Sequence, residues 1–320
     1  MHVAQPHLAS TASATSSTLR GIWLPLVTPL RRDGADTAVD HAALRRLVAH
    51  YRHSGIAGLV ICGTTGEAAA LDDAEQLAVF DTVLCEAGSL PVIAGLAGNH
   101  LRHTLARLDA LNGLPLCGLL SPAPYYIRPS QPGLLDWFHA LADRSRAPLV
   151  LYDIPYRTGA TLTLDTLLTL AGHDNIQGIK DCGGNAHTTQ ALIADGRLSV
   201  LAGEDHQLLS TLAMGGHGAI IASAHCRPAH FAALYRAVRA QQLDVARVLF
   251  HALMPVVRLL FADANPAPLK AWLAREGLLE DVLRAPMTNA SPALAQQLVD
   301  AVAAIDAAFG AQTSAPANAA

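Results

Sequence analysis

Short apolar runs alternate with longer stretches of helical spacing along the middle of the chain. Runs such as Gly58–Ile61 and Leu149–Asp153 have the length of buried strands. The segment 40–53 instead repeats its apolar residues at helical spacing. Eight strand-and-helix repeats fall between residues 21 and 240, which predicts an α/β fold, a (β/α)8 TIM barrel. An open doubly wound sheet is the alternative, although such a sheet requires no regular count of eight.

The two ends of the chain depart from this repeat. Three further helical patterns follow the predicted barrel over 21–240 and predict a C-terminal helical domain over 241–310, packed beside the barrel. Residues 1–20 are rich in serine, threonine and alanine and lack the apolar segment of a secretory signal. We therefore expect a flexible N-terminal tail over 1–20, and a second flexible tail over 311–320.

Composition narrows the classes of function. A formal net charge of −4 gives no electrostatic reason to expect binding to nucleic acid or to an acidic membrane surface. No apolar run approaches the roughly 18 residues that a membrane-spanning helix needs. The five cysteines form no Cys-x-x-Cys pair, so neither a disulfide framework nor a zinc site is indicated, and a cytoplasmic location fits best. The histidines lack zinc spacing and no nucleotide-binding glycine motif is present, so we expect no metal and no cofactor.

Lysine is rare in this chain. The 22 lysine and arginine residues include only two lysines, Lys180 and Lys270. A desolvated lysine can lose its proton and attack a carbonyl, whereas arginine stays charged. Lys180 ends the apolar run Ile176–Lys180, and barrels carry their active sites on the loops that follow the strands. Lys180 is therefore the candidate nucleophile, and a lysine that merely caps a strand is the alternative.

Other polar side chains follow strands on the same predicted rim. Thr64 and Thr65 lie in a Gly-Thr-Thr-Gly turn that can hold a carboxylate, although such a turn is often only a turn. Tyr152 ends the strand beside that of Lys180, and a phenol next to a desolvated amine can pass protons during imine formation. Arg157 is placed to hold a carboxylate through two parallel hydrogen bonds, with an ordinary loop arginine as the alternative.

Several motifs occur in one order along the chain and together indicate a family. They are Gly-Thr-Thr-Gly-Glu at Gly63–Glu67, Pro-Tyr-Tyr-x-Arg-Pro-Ser at Pro124–Ser130, Tyr-x-Ile-Pro-x-Arg-Thr-Gly at Tyr152–Gly159, Gly-Ile-Lys-Asp at Gly178–Asp181, Gly-Gly-His-Gly at Gly215–Gly218, and Asn-Pro-x-Pro-x-Lys at Asn265–Lys270. From about residue 21 to residue 288 the chain resembles the dihydrodipicolinate synthase / N-acetylneuraminate lyase family of pyruvate-dependent aldolases. It looks most similar to the dihydrodipicolinate synthase branch.

The resemblance implies a class I lyase that condenses pyruvate with L-aspartate 4-semialdehyde in lysine and diaminopimelate biosynthesis. Lys180 would form the Schiff base with pyruvate. Further catalytic roles are implied for Tyr152, Thr65 and Tyr126, with Tyr126 reaching into the site of a neighbouring subunit. Substrate contacts are implied for Thr64, Thr65, Arg157, Gly203 and Ile220. The resemblance also implies a homotetramer built as a dimer of dimers.

Three positions depart from the family pattern. Asp153 replaces the usual asparagine, Ile127 stands where an asparagine follows the tyrosine pair, and Tyr156 stands where a small residue is common. We expect Asp153 and Tyr156 to orient Arg157 or to narrow its pocket, which would change the aldehyde that fits. Two other functions therefore stay open. One is a different Schiff-base pyruvate aldolase acting on a sugar acid, a 2-keto-3-deoxy acid or N-acetylneuraminate, and the other is a non-catalytic barrel that binds a keto acid.

Overall fold

The computed structural model describes residues 19–34 and 36–310. The predicted C-terminal tail over 311–320 lies outside the described residues, as does the predicted N-terminal tail up to residue 18. Leu19, which the prediction assigned to that tail, is buried among apolar side chains in the interior of the barrel. Leu19 is therefore part of the packed barrel.

The described chain contains ten strands, and eight of them close a parallel barrel. In chain order the strands are β1 (Gly21–Pro25), β2 (Leu30–Asp33), β3 (Asp36–Val39), β4 (Gly58–Ile61), β5 (Val92–Gly95), β6 (Gly118–Pro122), β7 (Leu149–Asp153), β8 (Ile176–Asp181), β9 (Ser199–Ala202) and β10 (Gly218–Ile220). The order around the barrel is β1-β10-β9-β8-β7-β6-β5-β4, which confirms the predicted fold. The antiparallel hairpin of β2 and β3 was not predicted, because its short and largely exposed strands carry no apolar alternation.

Helices surround the barrel and extend beyond it. They are α1 (His41–Tyr51), α2 (Asp73–Ala87), α3 (Leu101–Leu111), α4 (Gln131–Arg144), α5 (Pro155–Thr158), α6 (Leu164–Leu170), α7 (Ala186–Asp195), α8 (Leu208–Ala213), α9 (Pro228–Arg239), α10 (Leu243–Leu260), α11 (Ala267–Arg275) and α12 (Pro292–Gly310). The last three confirm the predicted three-helix appendage. The assignment of 21–240 and 241–310 to separate domains stays a prediction.

Strand alternation divides the core into two layers. On β7, Leu149 and Leu151 pack outward against the helices, whereas Val150 and Tyr152 face the barrel interior. The parallel register pairs Tyr152 with Lys180 of β8. Both side chains therefore lie at the same end of the barrel interior. Apolar side chains fill the rest of that interior, as in other barrels of this kind.

A buried ion pair connects the appendage to the mouth of the barrel. Lys270 of α11 has no exposed surface, and its ammonium group pairs with the buried carboxylate of Glu67. The Lys270 Nζ also donates to the carbonyl of Val282 at 2.9 Å, and the backbone N–H of Arg284 donates to Glu67 Oε2 at 3.3 Å. A buried charge requires such partners. Because Glu67 directly follows the turn Gly63–Gly66, the appendage holds a loop that faces the barrel interior.

We predict that Lys270→Met destabilises the protein by about 3–5 kcal/mol, because it leaves the Glu67 carboxylate buried without its counter-charge. Urea unfolding followed by circular dichroism measures the loss. The double variant Lys270→Met/Glu67→Gln removes both charges and should recover a large part of it. A single variant as stable as the parent would show that Glu67 finds another partner.

Candidate active site

Lys180 and Tyr152 form the centre of the candidate site. The Lys180 Nζ donates to the Tyr152 hydroxyl at 3.3 Å and lies 4.3 Å from the centroid of its ring. Only 7% of Lys180 and 6% of Tyr152 are exposed. The structure thus brings together the amine and the phenol that the sequence analysis placed on neighbouring strand ends.

Gly203 limits the space around the lysine, and Ile220 belongs to the apolar interior of the barrel. A Cβ atom at Gly203 would lie 2.9 Å from Lys180 Cγ and 2.3 Å from Cys182 Sγ, so a side chain there would displace the lysine stem. Ile220 has no exposed surface and belongs to the same interior cluster as Tyr152. Gly203 therefore lies against the lysine, as predicted, whereas the predicted substrate contact of Ile220 stays a prediction.

The environment of Tyr152 keeps its side chain protonated. Burial raises the pKa of this phenol well above its ordinary value, and the nearby Cys182 adds to the rise. A hydrogen bond with the Thr64 side chain and the positive charge of Arg157 oppose the shift without cancelling it. Tyr152 is therefore a neutral phenol that can accept a hydrogen bond from the amine while it donates its own proton.

The threonine turn is held by contacts from distant parts of the chain. Thr65 is buried, and its hydroxyl accepts a hydrogen bond from Asn265 Nδ2 at 3.0 Å. The Thr28 hydroxyl donates to the Gly66 carbonyl at 2.7 Å. Thr64 is exposed and lines a cavity beside Lys180. The turn consequently presents one exposed and one buried hydroxyl close to the amine.

Asn265 is a site residue that the sequence analysis missed. It was noted only as part of the Asn-Pro-x-Pro-x-Lys motif, without a function. The residue stands between α10 and α11, and 200 positions separate it from Thr65, so strand order around the barrel gave no reason to place it at the mouth. The Asn-Pro-x-Pro-x-Lys motif was the one feature of the sequence that could have indicated a role for Asn265 in the site.

Two cavities adjoin at these side chains. The smaller one has a volume of about 30 Å³ and is lined by Lys180 together with Thr65, Tyr156 and Glu204. The larger one has a volume of about 460 Å³ and has a mainly apolar lining that includes Leu96, Leu120 and Met287. Both cavities share the side chains of Thr64, Tyr152, Arg157 and Asn265. The larger cavity therefore extends the space that adjoins Lys180.

Arg157 lies exposed at the boundary between the two cavities. Its Cζ atom is 5.9 Å from the centroid of the Tyr156 ring. The Tyr156 hydroxyl donates to Glu204 Oε1 at 2.8 Å, and thereby connects the loop after β7 to the loop after β9. Tyr156 thus lies beside Arg157, as expected, and contributes to the wall of the smaller cavity.

Asp153 does not face Arg157, contrary to the expectation. Its side chain is buried on the outer side of β7, where Oδ1 accepts a hydrogen bond from the Leu162 N–H at 3.4 Å. Asp181, its register partner on β8, is buried on the same side and accepts hydrogen bonds from the Gly183 N–H and the Thr189 hydroxyl. Strand alternation explains the direction, since Tyr152 faces inward and the next residue must face outward.

Burial raises the pKa of Asp153 to about 7. The hydrogen bond from the Leu162 N–H opposes this rise, whereas the negative charge of Asp181 adds to it. The family's usual asparagine at this position carries no charge. In this chain the ionised carboxylate therefore costs folding free energy that an amide would not.

Asp205 is a second buried acid near the lysine. Its Oδ1 accepts hydrogen bonds from the Ser223 N–H, at 2.7 Å, and from the Ser223 hydroxyl. Burial raises the pKa of Asp205 to about 6, while the Ser223 hydrogen bonds and the charge of Lys180 oppose the rise. The sequence analysis gave this acid no role. The structure shows it joining the loop after β9 to the residues after β10.

Tyr126 lies away from the cavities of its own chain. Its side chain is 88% exposed, and its backbone N–H donates to the Thr158 carbonyl at 2.9 Å. Among the described residues that line the two cavities, Tyr126 is not found. The hydrogen bond from the Tyr125 N–H to Asn99 Oδ1, 2.9 Å long, also holds this loop on the surface. The structure thus gives Tyr126 no contact with the lysine of its own subunit.

Metal-ligating side chains do not form a cluster among the described residues. Within 19–34 and 36–310, no cluster of three or more histidine, cysteine, aspartate and glutamate side chains could hold a metal ion. The five cysteines are free thiols. No helix in this part of the chain is long and apolar enough to cross a membrane.

A sequence profile of the dihydrodipicolinate synthetase family matches residues 18–305. The chain belongs to this family. A 4-hydroxy-tetrahydrodipicolinate synthase of Sorangium cellulosum is 38% identical over 90% of this chain and 97% of that protein.

Solved structures of the family superpose on the whole fold. The chloride-inhibited dihydrodipicolinate synthase of Acinetobacter baumannii, complexed with pyruvate, is 31% identical, with a TM-score of 0.86 over 90% of this chain and 99% of that one. A dihydrodipicolinate synthase variant described as monomeric is 27% identical, with a TM-score of 0.86 over 92% and 99% of the two chains. The family fold is therefore present from the first barrel strand to the last appendage helix.

We predict that Asp153→Asn stabilises the protein above pH 7. Because the folded-state pKa of about 7 exceeds the unfolded value near 4, the native protein binds more protons than the unfolded chain between these limits. The parent therefore loses stability as the pH rises from about 4 to 7, by at most about 4 kcal/mol. The variant should not show this loss.

Thermal unfolding of the two proteins at pH 5 and pH 8 measures the effect. The difference in melting temperature should be larger at pH 8, with the variant the more stable protein. The difference between variant and parent isolates this one carboxyl from the other titrating groups. A difference that is independent of pH would show that Asp153 does not titrate in this range.

Proposed function

We propose that this protein is a 4-hydroxy-tetrahydrodipicolinate synthase that condenses pyruvate with L-aspartate 4-semialdehyde through a Schiff base on Lys180. The observation that carries the proposal is the buried amine–phenol pair of Lys180 and Tyr152, 3.3 Å apart at the end of a closed barrel. Family membership and the names of the curated relatives support the same reaction. The enzyme is a lyase of the class I aldolase type.

The first half of the reaction activates pyruvate. The unprotonated Lys180 Nζ adds to the C2 carbonyl carbon, and loss of water from the resulting carbinolamine leaves an iminium ion. Tyr152 is within hydrogen-bond reach of this nitrogen and can move protons to and from the departing oxygen. Loss of a proton from C3 then gives an enamine, whose C3 is the carbon nucleophile. Thr64 and Thr65 are proposed to hold the pyruvate carboxylate.

The second half joins the two substrates. The enamine C3 forms a bond to the aldehyde carbon of the second substrate, and the aldehyde oxygen takes a proton to become a hydroxyl group. The amino group of the second substrate then loses a proton and attacks C2. Its new bond to C2 replaces the bond to the Lys180 nitrogen, which leaves with that proton as the ring closes. Arg157 is proposed to hold the carboxylate of this substrate, since a guanidinium group can bind it through two hydrogen bonds.

We further propose that Tyr126 completes the proton relay of a neighbouring subunit. Its 88% exposure and its position outside its own cavities support this role. This role requires at least two subunits in contact. We propose a homotetramer built as a dimer of dimers, and a cytoplasmic location. One similar solved structure is of a variant described as monomeric, so the native mass of this protein in solution tests the assembly.

Borohydride reduction in the presence of pyruvate should add a pyruvate-derived mass to the peptide that contains Lys180. The reason is that reduction converts the imine into a stable secondary amine. Mass spectrometry of a digest locates the adduct, and Lys180→Ala is the control that should remain unmodified. An adduct on Lys270 would contradict the assignment of the nucleophile.

The same preparation tests the substrate and the rival functions. Condensation with L-aspartate 4-semialdehyde supports the proposal. Cleavage of a 2-keto-3-deoxy acid or of N-acetylneuraminate, without condensation, would assign the protein to another pyruvate aldolase. Pyruvate binding without turnover on either set would leave a keto-acid-binding barrel.

We predict that mixing two inactive variants, Tyr126→Phe and Lys180→Ala, restores part of the activity. In a mixed oligomer, a Tyr126→Phe subunit keeps its lysine and receives an intact Tyr126 from its Lys180→Ala neighbour. Subunit exchange is verified by native mass spectrometry, and each variant alone is the control. Verified mixed oligomers without activity would show that Tyr126 does not act across the interface.

A further inference from the structure

Opposite charges line the smaller cavity. Arg157 contributes a guanidinium to its wall, and Glu204 and Asp205 contribute acids. Asp205 is buried, and one of its oxygens is engaged by both the backbone and the side chain of Ser223. Glu204 is only partly buried, so its carboxylate is the acid that a second reactant would meet first.

Tyr156 contacts both charged groups. Its ring centroid lies 5.9 Å from the Arg157 Cζ, and its hydroxyl donates to Glu204 Oε1 at 2.8 Å. The phenol therefore connects the guanidinium and the carboxylate. A carboxylate has about four acceptor positions, so Glu204 can accept further donors while it keeps this hydrogen bond.

We infer that Glu204 determines specificity by binding the ammonium group of the aldehyde substrate while Arg157 binds its carboxylate. The inference rests on the proposed function and deepens it. A zwitterionic amino-acid aldehyde presents both charges on one carbon, and each finds an opposite charge at the mouth through hydrogen bonds of the stronger, charge-assisted kind.

The same arrangement disfavours the rival substrates. A sugar acid carries a carboxylate and hydroxyl groups but no cation, so Glu204 would gain no counter-charge on binding it. The reaction itself also requires the amino group, because that nitrogen attacks C2 and releases the lysine. Holding the amino group beside the cavity that contains Lys180 therefore serves both selection and ring closure.

The test compares two aldehydes that differ only in the amino group. L-aspartate 4-semialdehyde and succinic semialdehyde share their carboxylate and their aldehyde. At saturating pyruvate, the KM of the first and the inhibition constant of the second are measured for the parent and for Glu204→Gln. The variant should lose about tenfold or more of the parent's preference for the amino-acid aldehyde, and its affinity for succinic semialdehyde should stay unchanged.

Three further variants make the result specific. Tyr156→Phe removes the hydrogen bond that holds the carboxylate but keeps its charge, and should reduce the preference less than Glu204→Gln does. Glu280→Gln neutralises an exposed acid outside this cavity and should change nothing. Arg157→Ala should weaken both aldehydes together, because both carry the carboxylate. Borohydride trapping of pyruvate on Lys180 should persist in Glu204→Gln, which shows that the site is folded.

The possible outcomes distinguish an error in the role of Glu204 from an error in the proposed function. A parent that does not condense L-aspartate 4-semialdehyde overturns both. A parent that condenses it, with the same preference in Glu204→Gln, overturns the role of Glu204 alone. If Glu204→Gln does not fold, Glu204→Asp replaces it in the test. A retained preference for the amino-acid aldehyde with the shortened acid supports the role of Glu204. Loss of affinity for both aldehydes overturns it.

Discussion

The buried ion pair between Lys270 and Glu67 is the constraint on which the mouth of the barrel depends. Burial alone lowers the pKa of Lys270, and the carboxylate of Glu67 opposes that change, so the ammonium is stable only while the two groups stay together. This requirement fixes α11 against the loop that carries Thr64 and Thr65. Asn265, just before α11, adds a direct hydrogen bond to Thr65. The appendage is therefore part of the construction of the site.

The register between β7 and β8 pairs two residues that face the barrel interior and, one position later, two that face the helices. Tyr152 and Lys180 are partners that face the interior, and the next partners, Asp153 and Asp181, face the helices. Alternation allows no other arrangement, because one strand direction fixes both. Inside, an amine lies beside a neutral phenol, and outside, two carboxylates lie in a buried environment. Ionised Asp153 thus lowers the free energy of unfolding, although its side chain does not line the cavities at Lys180.

The sequence analysis predicted most of the features that depend on the spacing of apolar residues and on the order of the strands. The eight repeats, the three appendage helices and the pairing of Lys180 with Tyr152 follow from apolar spacing and from the rule that strand ends share one rim. Contacts such as Tyr156–Glu204 were not foreseen, because they depend on side-chain directions in loops that no periodic pattern describes. The error at Asp153 was avoidable, since an inward Tyr152 already implied an outward neighbour.

The scarcity of lysine singled out two residues but could not distinguish their functions. Both are buried, so neither serves as an ordinary surface charge. Lys270 pairs with a carboxylate, which favours its charged form and gives it a structural role. Lys180 instead donates to the phenol of Tyr152, a neutral partner at the end of the barrel. The chemistry open to a buried lysine is thus set by the group it contacts, and that contact is decided by the fold.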